Sequence, residues 1–201
     1  MTLALSAPTG ARIGPNAILQ VAEAIRAGLG DAAAEALLAE AGYSLDRLPT
    51  AMVDEREPLA LGAALIDRYG AATAAATLRD AGERTGAYLL ANRIPRPAQR
   101  LIRLLPSRLG YRLLLGAIGR HAWTFAGSGR FSVRFGPAGP ELAFDDCAMC
   151  RGLVQGAPVC DYYAGTFERL FRELVEPRVR VREIECLAAG GRCCRFTVVR
   201  G

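Results

Sequence analysis

The chain has 201 residues, of which 51% are hydrophobic and 22% charged, a composition that excludes a disordered chain and is ordinary for a globular protein. This length suffices for one domain with a real core, or for one domain with a helical extension. The formal net charge is +5, and all 25 basic residues are arginines. Ten of them lie between Glu83 and Glu141, a stretch without any acidic residue. Such a block predicts a positive field that favours an anionic partner, unless the ten are scattered over a solvated face.

The sequence indicates neither export nor a membrane span. Residues 1–11 have no basic region followed by a long apolar core, so we expect no secretory signal. The longest apolar stretch, residues 101–123, is interrupted by four arginines and makes a poor bilayer span. We therefore expect a cytoplasmic protein, in which the six cysteines are thiols or metal ligands rather than disulfides.

The first two-thirds of the chain has helical periodicity. Helices are predicted over residues 15–29, 31–40, 54–69 and 71–90. Two prolines then break the pattern, and the second, Pro97, suits the first turn of the next helix. In that helix we expect Arg96, Arg100 and Arg103 to share one face. Three apolar side chains are expected to meet the core instead: Leu101, Ile102 and Leu105.

After residue 129 the period changes from helical to alternating. Strands are predicted over residues 131–135 and 141–144, a helix over 166–175, and strands over 179–186 and 194–199. The C-terminal module is therefore expected to be β-β-α-β-β, an antiparallel sheet backed by helices. The predicted fold class is α+β. A helical N-terminal region, residues 1–80, packs on and is continuous with a domain formed by residues 81–201.

Three cysteines and one glutamate near the C-terminus form the main candidate site. Cys186 ends one predicted strand and Cys194 begins its hairpin partner, so both sulfurs are expected at the same end of the sheet. Strict alternation would put Glu183 on the other face, so a bulge or a strand end near Ile184 is required. Cys160 must come across from the segment ahead of the helix. Three thiolates and a carboxylate make a plausible tetrahedral set for Zn²⁺, and the alternative is a group of small buried hydrophobes.

Cys147 and Cys150 form a second pair with metal-ligand spacing, although a single C-x2-C is a weak signal. The pair could complete a four-cysteine site with Cys186 and Cys194, act as a redox pair, ligate an iron–sulfur cluster, or remain as plain thiols. Cys193 directly precedes Cys194. Its side chain is therefore expected on the opposite face of the strand, outside the site.

The sequence around the cysteines resembles the 4-vinyl reductase domain, whose C-terminal pattern reads Glu-x2-Cys-x3-Gly-x3-Cys-x-Phe. The pattern falls here on Glu183, Cys186, Gly190, Cys194 and Phe196. Residues 82–95, 120–127 and 146–152 further resemble the 4-vinyl reductase family of bacteriochlorophyll biosynthesis. In metal-binding members of the domain family, zinc is held by the equivalents of four residues present here, so the resemblance implies a structural Zn²⁺ on Cys160, Glu183, Cys186 and Cys194.

The family name implies reduction of the 8-vinyl group of a divinyl chlorophyll precursor. A reductase needs a hydride or electron source, yet the sequence has no strand-linked G-x-G-x-x-G and no evident flavin motif. The run Gly127-Ser128-Gly129 lacks the third glycine and precedes a strand rather than a helix. We therefore favour a carrier or chaperone that binds a Mg-porphyrin intermediate for the pathway's enzymes. The alternatives are the 8-vinyl (4-vinyl) reductase itself and an assembly factor that binds a pathway enzyme.

Candidate ligand-binding residues lie where the helical and mixed halves meet. His121 could be an axial ligand to Mg and Trp123 could stack on the macrocycle; the alternatives are a hydrogen-bonded histidine and a core tryptophan. Four arginines could pair with tetrapyrrole carboxylates, contact an anionic membrane surface peripherally, or face only water: Arg100, Arg103, Arg108 and Arg112. The basic block lacks interleaved aromatics and any nucleic-acid motif, so no nucleic-acid partner is expected. The domain also resembles core subunits of a vesicle-tethering complex, and by that analogy we expect a homodimer.

Overall fold

The computed structural model describes residues 10–137 and 139–200, so most of the segment in which no secretory signal is expected lies outside the described residues. The helices and strands follow one another in this order: β1 (Arg12–Ile13), α1 (Asn16–Leu29), α2 (Asp31–Glu40), β2 (Val53–Asp54), α3 (Arg56–Asn92), α4 (Arg96–Leu104), α5 (Ser107–Arg120), β3 (Arg130–Gly136), β4 (Gly139–Asp145), α6 (Asp161–Leu174), β5 (Val179–Glu185) and β6 (Cys194–Arg200). Short 3₁₀ turns occupy Ala122–Thr124 and Leu187–Ala189.

The long helix α3 is two helices joined at Gly70. Gly70 has φ 81° and ψ 161°, a backbone conformation that side chains disfavour, and it interrupts the helix where the sequence predicts a boundary. The N-terminal half of α3 packs against α1, which buries Ile18, Val21 and Ile25 on one face. β1 pairs with β2 in a short antiparallel ladder that the sequence did not predict. The four predicted helices of this half are confirmed.

Strands β3 to β6 form one antiparallel sheet in the order β3-β4-β6-β5, which confirms the predicted β-β-α-β-β module. The register of β5 against β6 shifts between Glu183 and Glu185, so Ile184 is the extra residue of a bulge. The sequence required a bulge or a strand end near Ile184, and the structure has the irregularity there. It turns the carboxylate of Glu183 toward the end of the sheet where the cysteines lie.

Helix α6 lies between α3 and the sheet, and two glycines allow its close approach to α3. A Cβ atom at Gly82 would lie 2.1 Å from the carbonyl oxygen of Tyr162, and one at Gly165 would lie 2.3 Å from the carbonyl oxygen of Arg79. The interior between α6 and the sheet is filled by aromatic rings in mutual contact: Phe125, Phe131, Phe144, Tyr163, Phe167, Phe171 and Phe196. The α+β class is confirmed.

Three expectations about the helices need correction. The helix α5 was not predicted, and α6 begins at Asp161 rather than at residue 166. Of the three apolar residues expected in the core, only Ile102 is buried; Leu101 is 52% exposed, and Leu105, just after α4, is partly exposed. A nine-residue helix packed on one side buries a single stripe, and this stripe contains Gln99 and Ile102. Within residues 10–137 and 139–200, the structure has no helix long and apolar enough to cross a membrane.

Candidate metal centre and neighbouring groove

The cysteines meet because three neighbouring strand ends meet. β4 and β5 both run antiparallel to β6, so the ends of β4 and β5 lie beside the start of β6. Cys194 is the first residue of β6, and Cys186 directly follows β5. Cys147 and Cys150 lie in a turn just after β4. Cys160 directly precedes the first residue of α6 and completes the group.

The four predicted metal ligands come together in the structure. The Sγ atoms of Cys160 and Cys194 are 3.7 Å apart, and those of Cys194 and Cys186 are 3.8 Å apart. One donor atom from each of these cysteines and from Glu183 lies within 4.8 Å of all the others. Zn–S bonds of about 2.3 Å in a tetrahedron place sulfurs about 3.8 Å apart, so the spacing suits one zinc ion.

Glu183 has one carboxylate oxygen bonded and one available. Oε2 accepts a hydrogen bond of 2.9 Å from the backbone N–H of Cys160, whereas Oε1 is buried without a hydrogen-bond partner among the described residues. Burial, followed by the nearby Cys186 thiolate, raises the pKa of Glu183 to about 8. An incoming cation must displace this proton, so metal affinity is expected to fall as the pH is lowered.

Cys147 and Cys150 belong to the same cluster. Together with Cys160 and Cys194 they form a second set of four buried sulfurs within 4.8 Å of one another. The Sγ atoms of Cys147 and Cys160 are 3.8 Å apart, and those of Cys150 and Cys194 are 3.2 Å apart. The four-cysteine site considered from the sequence combined this pair with Cys186 and Cys194. In the structure, Cys160 takes the place of Cys186 in the four-sulfur set.

The turn that bears Cys147 and Cys150 is held by a buried carboxylate. Arg151 donates to Glu55 at 2.8 Å and to Asp146 at 2.6 Å, and Glu55 is only 1% exposed. This link joins residues far apart in the sequence, and no local pattern predicts it.

The sulfur spacing favours single or ligand-sharing ions over a [4Fe–4S] cluster. The four cysteines of a [4Fe–4S] cluster bind four different irons, so their sulfurs cannot lie at the spacing of ligands to one ion. The sulfurs of this cluster are only 3.2–3.9 Å apart, which is too close for that arrangement. Cys193 is buried but lies outside both sets, as strand alternation predicts, and its Sγ is 3.7 Å from Arg195.

A groove opens between α5 and the strands β3, β4 and β6. It has a volume of about 700 Å³, and a smaller hollow of about 260 Å³ adjoins the same helix. Arg112 lines both, and its guanidinium lies 5.4 Å from the ring centroid of Phe135. The groove is further lined by Arg108, Tyr111, Pro140, Glu176, Val198 and Arg200. Since Arg200 pairs with Glu176 at 3.1 Å, the groove is an apolar surface whose excess positive charge comes from the two arginines of α5.

The structure does not bring all the candidate ligand-binding residues together. Arg108 and Arg112 line the groove, whereas four others line neither hollow: Arg100, Arg103, His121 and Trp123. Arg103 donates to the carbonyl of residue 173, and Nδ1 of His121 lies 3.0 Å from the carbonyl of residue 117. Trp123 is 63% exposed, so it is not a core residue.

Sequence reasoning missed most of the groove because it missed α5. Arg108, Tyr111 and Arg112 have i, i+3, i+4 spacing and share one face of that helix. The two arginines were candidates from the sequence, but only recognition of the helix would have joined them to Tyr111 in one wall. Arg200, at the end of β6, gives no local signal.

Comparison with known proteins identifies two curated relatives along most of the chain. The bacteriochlorophyll synthase 23 kDa chain of Cereibacter sphaeroides is 46% identical over 189 residues, which cover 94% of this chain and 90% of the relative. The bacteriochlorophyll synthase 23 kDa chain of Rhodobacter capsulatus is 42% identical over 189 residues, covering 93% and 86%. Residues 140–200 match the model of the 4-vinyl reductase domain family. The matched segment contains all five clustered cysteines and Glu183.

Solved structures with little sequence identity share the fold. An H-NOX protein studied for heme distortion aligns with a TM-score of 0.58 at 14% identity, covering 93% of this chain and 95% of its own. The phenol-responsive sensory domain of the transcription activator PoxR, solved with phenol, aligns with a TM-score of 0.52 at 18% identity, covering 82% and 88%. At these identities the likeness concerns the fold alone.

Proposed function

The chain belongs to the family of the bacteriochlorophyll synthase 23 kDa chains and takes part in bacteriochlorophyll biosynthesis, and we propose that it binds a Mg-porphyrin intermediate there as a carrier for the pathway's enzymes. The observation that carries the proposal is the groove beside α5. Its volume of about 700 Å³ lies within the range of about 300–1,000 Å³ usual for ligand sites.

The chemistry of the groove suits a flat apolar molecule that bears carboxylates. Tyr111, Phe135 and Val198 supply apolar surface, and Arg108 and Arg112 line one wall. Arginine pairs bidentately with carboxylates, which would orient the macrocycle with its acid groups toward α5.

The metal centre fits a structural role in this proposal. Cys160, Glu183, Cys186 and Cys194 would hold a zinc ion with four protein donors and no open position, which is typical of structural zinc. The bound ion would cross-link the end of β5, the start of β6 and the start of α6. The four ligands would then hold the sheet against α6, the helix that carries much of the core.

The turn formed by Gly127, Ser128 and Gly129 favours binding over redox catalysis. Its groups already have a partner within the chain: the backbone N–H and the hydroxyl of Ser128 both donate to Glu55, each at 2.8 Å. A Cβ at Gly127 would lie 2.0 Å from Oε2 of Glu55, so the carboxylate occupies the space at this turn. A dinucleotide phosphate would have to displace a buried anion. This turn therefore provides no nucleotide-binding site for the reductase alternative.

The carrier proposal is tested by titration of purified, metal-analysed protein with Mg-protoporphyrin, followed by absorbance and fluorescence. We expect saturable binding with a shifted Soret band. Arg112→Gln is expected to weaken binding about 10- to 100-fold, because a charge-assisted hydrogen bond contributes about 1.5–3 kcal/mol. Arg100→Gln is the matched control, since Arg100 lies outside both hollows and should leave the affinity unchanged.

Other outcomes would count against the carrier. Equal porphyrin affinities of the two variants would show that the ligand does not bind in the groove. Absence of saturable binding by the wild type would favour the second candidate, an assembly factor, which the naming of the relatives as chains of a synthase supports. Loss of the vinyl group on addition of a reductant would support the reductase.

We further propose that the surface of α4 and the start of α5 contacts an anionic membrane peripherally. Leu104 is 83% exposed, and Leu101 and Leu109 are each 52% exposed. Arg100 and Arg108 are exposed on the same two helices, in a region without acidic residues. Exposed leucines flanked by arginines suit insertion at the boundary between acyl chains and anionic headgroups.

Sedimentation with phosphatidylglycerol vesicles tests this contact. We expect binding that weakens with salt and is absent with phosphatidylcholine alone. Leu104→Ser should lower the partition coefficient at least about fivefold through the loss of buried apolar area. Val154→Ser is the control, because Val154 is 78% exposed but lies in another part of the fold. Equal losses of vesicle binding in the two variants, or no vesicle binding by the wild type, would contradict the membrane contact. The exposed face would then fit an acidic protein partner instead.

A further inference from the structure

The metal centre has more donors than one tetrahedral ion can use. Five cysteines and Glu183 form two four-donor sets, and only Cys160 and Cys194 belong to both. We propose that Cys147 and Cys150 create a second metal position, so that the cluster takes two soft divalent ions bridged by the thiolates of Cys160 and Cys194. This inference rests on the zinc site of the proposed function and extends it.

The count of donors matches a two-ion cluster. Two tetrahedral ions that share two ligands need six donors in all, and the two sets together contain six. The two shared sulfurs, those of Cys160 and Cys194, are 3.7 Å apart, which is close to the spacing of about 3.8 Å for two sulfurs on one zinc ion. Each position then has two ligands of its own: Cys147 and Cys150 for one, and Glu183 and Cys186 for the other.

The turn after β4 presents two cysteines in the form of a short metal-binding loop. The backbone N–H groups of Cys150 and Arg151 both point to the carbonyl of Cys147, at 3.3 and 3.0 Å, so the chain folds back and places both sulfurs on the cluster. Arg151 is also paired with Glu55 and Asp146, and these ion pairs keep the turn beside the cluster.

Charge does not oppose a second ion. Three thiolates and one carboxylate around one divalent cation leave an excess of two negative charges. Two further thiolates with a second divalent cation leave that excess unchanged, whereas the same thiolates without a cation would add to it. Helix α6 begins just after Cys160, and the positive end of its dipole stabilises the remaining negative charge of the cluster. Thiolate-rich donors select Zn²⁺ or Cd²⁺ over Mg²⁺ or Ca²⁺.

The second ion is expected to bind more weakly than the first. The Sγ atoms of Cys150 and Cys186 are 3.9 Å apart, although unshared ligands of two bridged ions must point away from each other. The turn that bears Cys150 must therefore shift when the second ion enters. It is followed by Gly152, at φ 75°, and by a segment without helix or strand up to α6, which allow such a shift.

Titration of the reduced, metal-free full-length chain with Cd²⁺ tests the two positions, with thiolate-to-metal absorbance and ¹¹³Cd NMR as readouts. The wild type should take up two equivalents in two steps and show two ¹¹³Cd signals split by mutual coupling, because coupling requires a shared sulfur. The double variant Cys147→Ser, Cys150→Ser should take up one equivalent, give one signal and keep its fold. Cys193→Ser, which lies outside both sets, should bind like the wild type.

Four results would overturn the second position. Saturation of the wild type at one equivalent would exclude it. Two uncoupled signals would show ions that share no sulfur. Loss of all cadmium from the double variant, with its circular dichroism spectrum unchanged, would indicate a single ion that uses Cys147 or Cys150. If the wild type binds no ion at all, the structural zinc site of the proposed function fails as well. Binding of one ion but not two would show that only the second position is wrong.

Discussion

Cys194→Ala is expected to lower the melting temperature by about 6–20 °C, whereas Cys193→Ala should lower it by only a few degrees. Cys194 belongs to both four-donor sets and is fully buried at the start of β6. Its loss removes a proposed metal ligand and leaves a small cavity, at a cost of about 3–5 kcal/mol. For a chain of this size, about 2–4 °C of melting temperature corresponds to 1 kcal/mol. Cys193 is also buried, but its sulfur faces Arg195 and Glu185 rather than the cluster.

Thermal melts in reducing buffer with stoichiometric zinc provide the measurement. A chelator should bring the wild type down to the melting temperature of Cys194→Ala and should change that variant little, since the variant has already lost its ion. Equal shifts for Cys193→Ala and Cys194→Ala would contradict the ligand assignment. A wild type insensitive to the chelator would indicate that the cysteines pack as hydrophobes.

Gly82→Ala is expected to destabilise the fold by about 3 kcal/mol or more, the upper part of the range for overpacking. The new Cβ would lie 2.1 Å from the carbonyl oxygen of Tyr162 and 2.9 Å from the amide nitrogen of Thr166. Both are backbone atoms of α6, so no side-chain rotation can relieve the contact. α3 and α6 must separate, and α6 begins directly after Cys160, a proposed metal ligand. We therefore expect weaker metal binding together with lower stability.

Gly62→Ala is the matched control, because Gly62 lies in the same helix and a Cβ there meets nothing within 4 Å. Alanine is a better helix former than glycine by about 0.5–1 kcal/mol, so this variant should melt at the same temperature or slightly higher. Urea unfolding of both variants, with zinc content measured in parallel, decides the matter. A stable Gly82→Ala protein with full zinc content would show that α3 and α6 are not packed this closely.

Part of the candidate site could be predicted because its causes are local. Cys186 and Cys194 flank a short loop between two alternating segments, which brings their sulfurs together in any hairpin. The position of Glu183 three residues before Cys186 required a bulge or a strand end near Ile184, and the structure has a register shift there. Alternation also placed Cys193 outside the site. In each case neighbours in the sequence are neighbours in space.

Periodicity and short-range spacing were enough to predict the α+β class, most of the helices and strands, and the hairpin that carries Cys186 and Cys194, since these depend on adjacent residues. That Cys147 and Cys150 join the cysteine cluster depends instead on β4 lying beside β6, which no local pattern specifies. The groove between α5 and the sheet and the exposure of Leu101 likewise follow from how the elements pack. Local patterns specify which elements form, whereas long-range packing specifies which of their ends and faces meet.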